Sequence, residues 1–267
     1  MSFDLNKKVA IVTGGAQGIG LAIVKELLRN GLKGVAVLDV NEIAGQKAVD
    51  EIQKEFGPEK VLFQKTDVAI RKEFEDAFEK TISAFNHLDI VINNAGVACE
   101  RNWEKEISIN LTGTINGTML GLECYLHQSK SGKEGVILNI SSIAAFGSFF
   151  PSPVYAATKS GVVALTRAMG HALHYDRKNV KVMAICPGFT DTGFVKVKKE
   201  DLITEEYQHI LKYFLKYNRI IFQTPEEVAK IVVDIIKEGQ NGSVWVAENK
   251  EPPYEIECLS QLQQKKK

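Results

Sequence analysis

Across 267 residues, thirty-three basic side chains cancel thirty-three acidic ones, and 45% of the chain is apolar. That balance gives no long-range field to gather nucleic acid or an anionic membrane, and the composition excludes a disordered or low-complexity chain. A globular α/β protein of this length forms one unit and acts on a small molecule.

Residues 1–8 are polar and charged, and the apolar run 9–12 that follows is far too short for a secretory signal or a membrane span, so a cytoplasmic location is expected. The run 9–12 reads as a first strand and 19–29 as a helix. Between them lies Thr13-Gly14-Gly15-Ala16-Gln17-Gly18-Ile19-Gly20. Glycines in a strand-to-helix turn let the backbone approach a pyrophosphate at the helix N-terminus, although a merely structural turn would also use them.

The second strand, 35–38, ends at Asp39 and Val40. Asp39 stands where a carboxylate accepts hydrogen bonds from an adenosine ribose. A 2′-phosphate about 4 Å away would cost up to about 4 kcal/mol at an effective dielectric of 20, and neither Gly15 nor Val40 supplies a countercharge. The expected cofactor is therefore NAD rather than NADP. The alternative is that Asp39 caps the next helix, 43–56.

Strand 61–63 leads to Thr66-Asp67-Val68, helix 72–85 follows, and strand 90–92 leads to Asn93-Asn94-Ala95-Gly96. Both turns fall on the same sheet edge as the glycine loop. Asp67 is placed to meet an adenine amino group, while Asn94 either touches the cofactor or braces the central strands. Within the long helical pattern 103–127, Asn110 either joins a hydrogen-bonded relay from Lys159 toward solvent or is a buried residue that kinks the helix.

Strand 136–140 delivers Ser141 and Ser142 to that edge, where a hydroxyl can bind a substrate oxygen as charge develops; a serine there can also serve only as a strand-end cap. Phe146, Phe149 and Phe150 point to an apolar substrate or to core. In the helical pattern 154–174, Tyr155 and Lys159 are four residues apart and share a face. A phenol of ordinary pKa about 10 is a poor base, but a nearby ammonium favours the phenolate, so Tyr155 can become a general base. Lys159 is expected to hold the nicotinamide ribose as well, or, taken alone, to be a solvated helix lysine.

Strand 180–185 precedes Pro187 and Gly188. The stretch 189–224 then breaks the alternation and is rich in aromatics, as a substrate lid or as surface helices packing inward. Helix 225–237 and strand 244–246 follow, and 250–267 is expected to be a tail. Seven short, non-alternating β-branched runs separated by helices specify a single doubly wound parallel sheet of the Rossmann type, with ligands at the carboxyl ends of the strands. Cys99, Cys124, Cys186 and Cys258 are widely spaced and read as reduced thiols, with no metal site.

Thr13 to Gly20, Asn93 to Gly96, Asn110, Ser142, the Tyr155/Lys159 pair and Pro187-Gly188 with Thr192 together resemble the short-chain dehydrogenase/reductase superfamily, over residues 5–247. Gly14 to Gly20, Asn102 to Lys105 and Cys186 to Phe189 are similar to its NAD+-dependent hydroxyprostaglandin branch; Met1 to Leu5 and Asn241 to Trp245 are similar to its insect alcohol dehydrogenases. The resemblance implies Asn110, Ser142, Tyr155 and Lys159 as reacting residues. It implies a dinucleotide held by Gly14, Gln17, Gly18, Ile19, Gly20, Asp39, Val40, Thr66, Asp67, Val68, Asn94, Ala95, Gly96, Tyr155, Lys159, Pro187, Gly188, Thr190 and Thr192. Ser142, Ser152 and Tyr155 would meet an alcohol or ketone. A homodimer or homotetramer is implied too.

The expected activity is reversible, NAD+-dependent oxidation of an apolar, lipid-like or steroid-like secondary alcohol to a ketone. Turnover of short alcohols, as in the insect enzymes, is the near alternative. A protein that binds NAD(H) without turnover is the distant one.

Overall fold

A computed structural model describes residues 2–147, 149–195 and 201–257. Its strands are β1 (Val9–Thr13), β2 (Gly34–Asp39), β3 (Val61–Lys65), β4 (Ile90–Asn93), β5 (Gly135–Ile140), β6 (Val180–Pro187), β7 (Val244–Ala247) and β8 (Tyr254–Glu255). They form one sheet in the order β3-β2-β1-β4-β5-β6-β7-β8, parallel except for the last pair. The seven expected strands are present. The eighth is a short antiparallel edge within the expected tail, pairing Val246 with Tyr254 and Trp245 with Glu255. Two exposed residues carry no apolar pattern, so sequence alone gives no sign of it. Residues 258–267, Cys258 among them, lie outside the described residues.

Every residue of β1, β4 and β5 is buried, which explains why these strands lack alternation. Helices Gly18–Arg29 and Pro225–Glu238 cover one face through Ile23, Leu27, Val228 and Val232. Phe74, Phe78, Leu120 and Leu126 cover the other. Each such side chain contributes about 1.5–3 kcal/mol by leaving water.

β1 pairs with β2 on one side and with β4 on the other, so the connections reverse direction there and open a crevice at the carboxyl ends of β1 and β4. Asn93 Nδ2 donates to Asn139 Oδ1 at 2.8 Å, and Asn139 Nδ2 donates to Thr166 Oγ1 at 3.0 Å, tying β4 and β5 to the helix Pro153–Met169.

Two helices depart from their expected form. Residues 103–129 are continuous but contain two wide π turns, Ser108–Gly113 and Leu120–Tyr125. Expected helix 154–174 is two helices, Pro153–Met169 and Ala172–Lys178. The break is at Gly170, where a Cβ would lie 2.3 Å from the Gly242 Cα, and His171 caps the next helix by accepting the Leu173 N–H at 3.2 Å.

Candidate active site

A cavity of about 600 Å³ runs along the carboxyl edge of the sheet. All the residues expected to hold the dinucleotide line it, and so do Ser142 and Ser152. Asn110 lies behind the wall.

At one end the glycine loop turns with Gly14 at φ 60° and Gly18 at φ 55°, a region costly for other residues. Gly20 is required by contact, since a Cβ would sit 2.2 Å from the Gly14 carbonyl oxygen. Asn94 braces the loop: its Nδ2 donates to the carbonyls of Thr13 and Gly14 at 2.9 and 3.1 Å. Asp39 does not cap the helix that follows. That helix, Glu42–Phe56, is capped by Asn41, whose Oδ1 accepts the Ala44 N–H at 3.0 Å. The Asp39 carboxylate instead accepts N–H groups from Ala16 at 3.3 Å and Asn41 at 3.0 Å, which fixes it beside the glycine loop. Lys65, its register neighbour on β3, has its ammonium 3.7 Å from Glu42. On the same edge, the Asp67 carboxylate accepts the Ala69 N–H at 2.9 Å. A backbone cradle with no room for a Cβ at Gly20 and with Gly14 and Gly18 at positive φ, followed by a fixed carboxylate, fits a dinucleotide with an unmodified ribose.

In the middle of the cavity, Ser142 accepts the Ala144 N–H at 3.1 Å, so it caps a short turn, and its hydroxyl is directed to the Tyr155 phenol. Ser141 is turned away, donating to the Lys159 carbonyl at 2.8 Å. Lys159 is not a solvated lysine: it is 3% exposed, and its Nζ donates to the Ile140 carbonyl at 3.0 Å. Two of its three N–H bonds remain for a ligand. Burial pulls its pKa down to about 8.

Burial holds the pKa of the Tyr155 phenol well above the ordinary value, the Ser142 hydroxyl pulls it down, and the charge of Glu106 pushes it up. Sequence reading weighs the neighbouring ammonium; in the folded protein desolvation outweighs it.

Asn110, 0% exposed, sits in the first π turn. Its Oδ1 accepts the Val97 N–H at 2.8 Å, and its Nδ2 donates to the Val97 carbonyl at 2.9 Å and to Thr158 Oγ1 at 3.3 Å. It thus clamps the loop after β4 to the helix that carries Tyr155.

Two carboxyls absent from the sequence reading stand behind this centre. Glu100 accepts the Tyr155 and Val154 N–H groups at 2.8 and 3.1 Å. Glu106 accepts the Cys99 N–H at 3.3 Å. Nothing in their sequence context distinguishes them from solvated helix charges.

The other end of the cavity is apolar. Phe214 makes edge contacts with Phe149 and Phe150 and lies 6.2 Å from Phe189, while Phe194 stands 5.7 Å from the Tyr155 ring. Of the three phenylalanines expected near a substrate, Phe149 lines the cavity; Phe146 packs against the small core cluster that includes Val163 and Val244, and Phe150 is exposed, in edge contact with Phe214. Val97, Leu211 and Ile220, none of them anticipated, complete this end. The segment 189–224 is closed at its base: Gln223 N donates to the Phe189 carbonyl at 2.9 Å, and Asp191 N donates to the Gln223 carbonyl at 2.8 Å.

Among the described residues no His/Cys/Asp/Glu group could hold a metal ion, and no helix is long and apolar enough to cross a membrane.

A family described as short chain dehydrogenase matches residues 8–203. The chain is 40% identical to 15-hydroxyprostaglandin dehydrogenase [NAD(+)] of Bos taurus, with 90% of each chain covered. It is 30% identical to alcohol dehydrogenase 1 of Ceratitis capitata, covering 91% of this chain and 93% of that one. The crystal structure of levodione reductase shares the fold at a TM-score of 0.76 and 24% identity, over 91% of this chain and 96% of that chain. The glycine cradle, the Ser142, Tyr155 and Lys159 side chains on one cavity wall and these matches agree: the chain belongs to the short-chain dehydrogenase family, as an oxidoreductase acting on CH–OH groups.

Proposed function

We propose that this chain uses NAD+ to oxidise an apolar secondary alcohol to a ketone, reversibly, with Tyr155 as the general base. The observation that carries this reading is one continuous cavity. It has a nucleotide cradle at one end, Ser142, Tyr155 and Lys159 in the middle, and an aromatic end whose described lining residues carry no charge.

When bound, the oxidised nicotinamide supplies the hydride acceptor, and its positive charge joins the Lys159 ammonium in favouring the Tyr155 phenolate. Ser142 donates its hydroxyl proton to the substrate oxygen, and Tyr155 removes the substrate proton. Lys159, anchored through one N–H to the Ile140 carbonyl, holds the ribose with the others. Asn110 keeps the surrounding loop and helix in register. Phe189, Phe194 and Phe214 cover the substrate and exclude water.

The relatives named 15-hydroxyprostaglandin dehydrogenase make a lipid-derived alcohol the first substrate class to try. A cytoplasmic homodimer or homotetramer is part of the proposal; sedimentation decides the oligomer. The chemical test is Tyr155→Phe, which should lower turnover about 10²–10⁴-fold while NADH binding persists. Full turnover by that variant overturns the reading. A screen of short alcohols against steroids and hydroxylated fatty acids separates the insect type of substrate from the apolar one.

A further inference from the structure

Glu106 is 0% exposed, four residues before Asn110 on the same helix face. The two side chains clamp the same loop: Asn110 binds both polar groups of the Val97 backbone, and Glu106 Oε2 accepts the Cys99 N–H at 3.3 Å. The second carboxyl oxygen, Oε1, finds no hydrogen-bond partner among the described residues. A residue that served only to hold the loop would need one acceptor, which a neutral amide or hydroxyl supplies without burying a charge.

The groups facing Glu106 give the second oxygen a purpose. Asn110, one turn along from Glu106, and Lys159 meet over Gly96, where an added Cβ would lie 3.3 Å from Asn110 Oδ1 and 3.5 Å from Lys159 Nζ; the charged groups around Glu106 are thus Lys159 and Tyr155 from the helix Pro153–Met169, and Glu100 and Cys99 from the turn before its own helix. The Lys159 ammonium is buried, and none of the described carboxylates comes within 4 Å of it. Its field partners are Glu106 and Cys186, and the Cys186 thiol is held protonated by burial. Glu106 is therefore the carboxyl whose charge reaches Lys159.

We infer that Glu106 is a positioning residue for charge, the counter-charge that sets the pH range over which Lys159 keeps its proton and Tyr155 gives one up. Its carboxylate stabilises the Lys159 ammonium and opposes the Tyr155 phenolate. Removing that charge should move both titrations toward acid. The sense is the same for both groups because a negative charge favours the protonated form of each. Glu106 itself is lifted to about 7, chiefly by burial and by Glu100, so its own ionisation falls within the working range.

The inference rests on the dehydrogenase reading for its kinetic arm and is independent of turnover for its binding arm. In the full-length protein, NADH affinity is measured by fluorescence against pH for the native sequence, Glu106→Gln, Glu106→Thr and Glu106→Asp; kcat/KM for alcohol oxidation is measured over the same range. Both neutral variants should bring the alkaline loss of NADH binding, and the alkaline limb of the kcat/KM profile, roughly one pH unit toward acid. Asp should keep the native positions. If Gln does not fold, Thr decides. Neutral variants that titrate where the native protein does, or an Asp variant displaced as far as Gln, would overturn the inference. A Tyr155→Phe protein that still turns over would remove Tyr155 as the base, and with it the kinetic arm, and leave the NADH-binding arm standing.

Discussion

The Glu100 carboxylate caps the helix that carries Tyr155, accepting the Tyr155 backbone N–H at 2.8 Å and that of Val154 at 3.1 Å. Ser152 stands at the N-cap position but its side chain makes no capping bond. A carboxylate from another segment thus fixes the start of the helix, and with it the height of the phenol in the cavity. The charge also suits the positive end of the helix dipole.

Removing that cap should be felt twice. Glu100→Ala is expected to cost about 2 kcal/mol in urea unfolding, because two partly buried N–H groups lose their acceptor. It should also lower kcat about tenfold or more through misplacement of Tyr155. A variant as stable and as active as the native protein would show that the cap does not position the base.

Cofactor choice should follow Asp39. With Asp39→Ser and Val40→Arg together, kcat/KM should turn toward NADP by roughly 10–100-fold, since a charge repulsion of up to about 4 kcal/mol is replaced by an attraction. Steady-state kinetics with both cofactors reads this, and an unchanged preference would refute the assignment. Some stability should be lost as well, because the Ala16 and Asn41 N–H groups lose a carboxylate.

Stability should depend on pH through Glu106. Its folded pKa, about 7, lies above the ordinary 4.5. The folded protein therefore holds a proton that the unfolded chain has released, and the associated stability is complete below about pH 4.5 and lost as pH rises toward 7. Relative to Glu106→Gln, the native protein should lose up to about 1.4 kcal/mol per pH unit across that window. Parallel stability curves for the two proteins would contradict the assigned burial of charge.

Phe214 is the hub of the aromatic end, touching Phe149, Phe150 and Phe189. Phe214→Ala should raise KM for an apolar alcohol about tenfold or more, from lost apolar contact, with a smaller change in kcat. A short alcohol should be nearly indifferent to the change. Equal effects on both substrates would place the apolar group of the substrate elsewhere.

The sheet was legible because its central strands are buried on both faces and therefore contain almost nothing but β-branched and aliphatic residues. The crevice followed from the order of the elements. Asp39 had two readings that the sequence could not separate, because Asn41 two residues later competes for the same capping role and only the fold shows which residue has it. The π turn at Asn110 was hidden, since a helix with one extra residue in a turn keeps nearly the same apolar spacing. The break at Gly170 depends on contact with Gly242, seventy-odd residues away in sequence. Glu106 and the raised Tyr155 pKa were missed for one common reason: charge is visible in a sequence, but its loss of solvent is not.

The two hydrogen bonds that join Phe189 and Asp191 to Gln223, with the Gln223 amide donating to the Ala247 carbonyl at 2.8 Å, make a doorway at the edge of the sheet. Strand β6 and the helix Pro225–Glu238 are anchored on the sheet side of that doorway. Thr192 and Phe194 lie just beyond it, against Gly18 and the Tyr155 ring, so exchange of the helix Tyr207–Tyr217 alone is the change expected to leave the cradle and the reacting side chains in place.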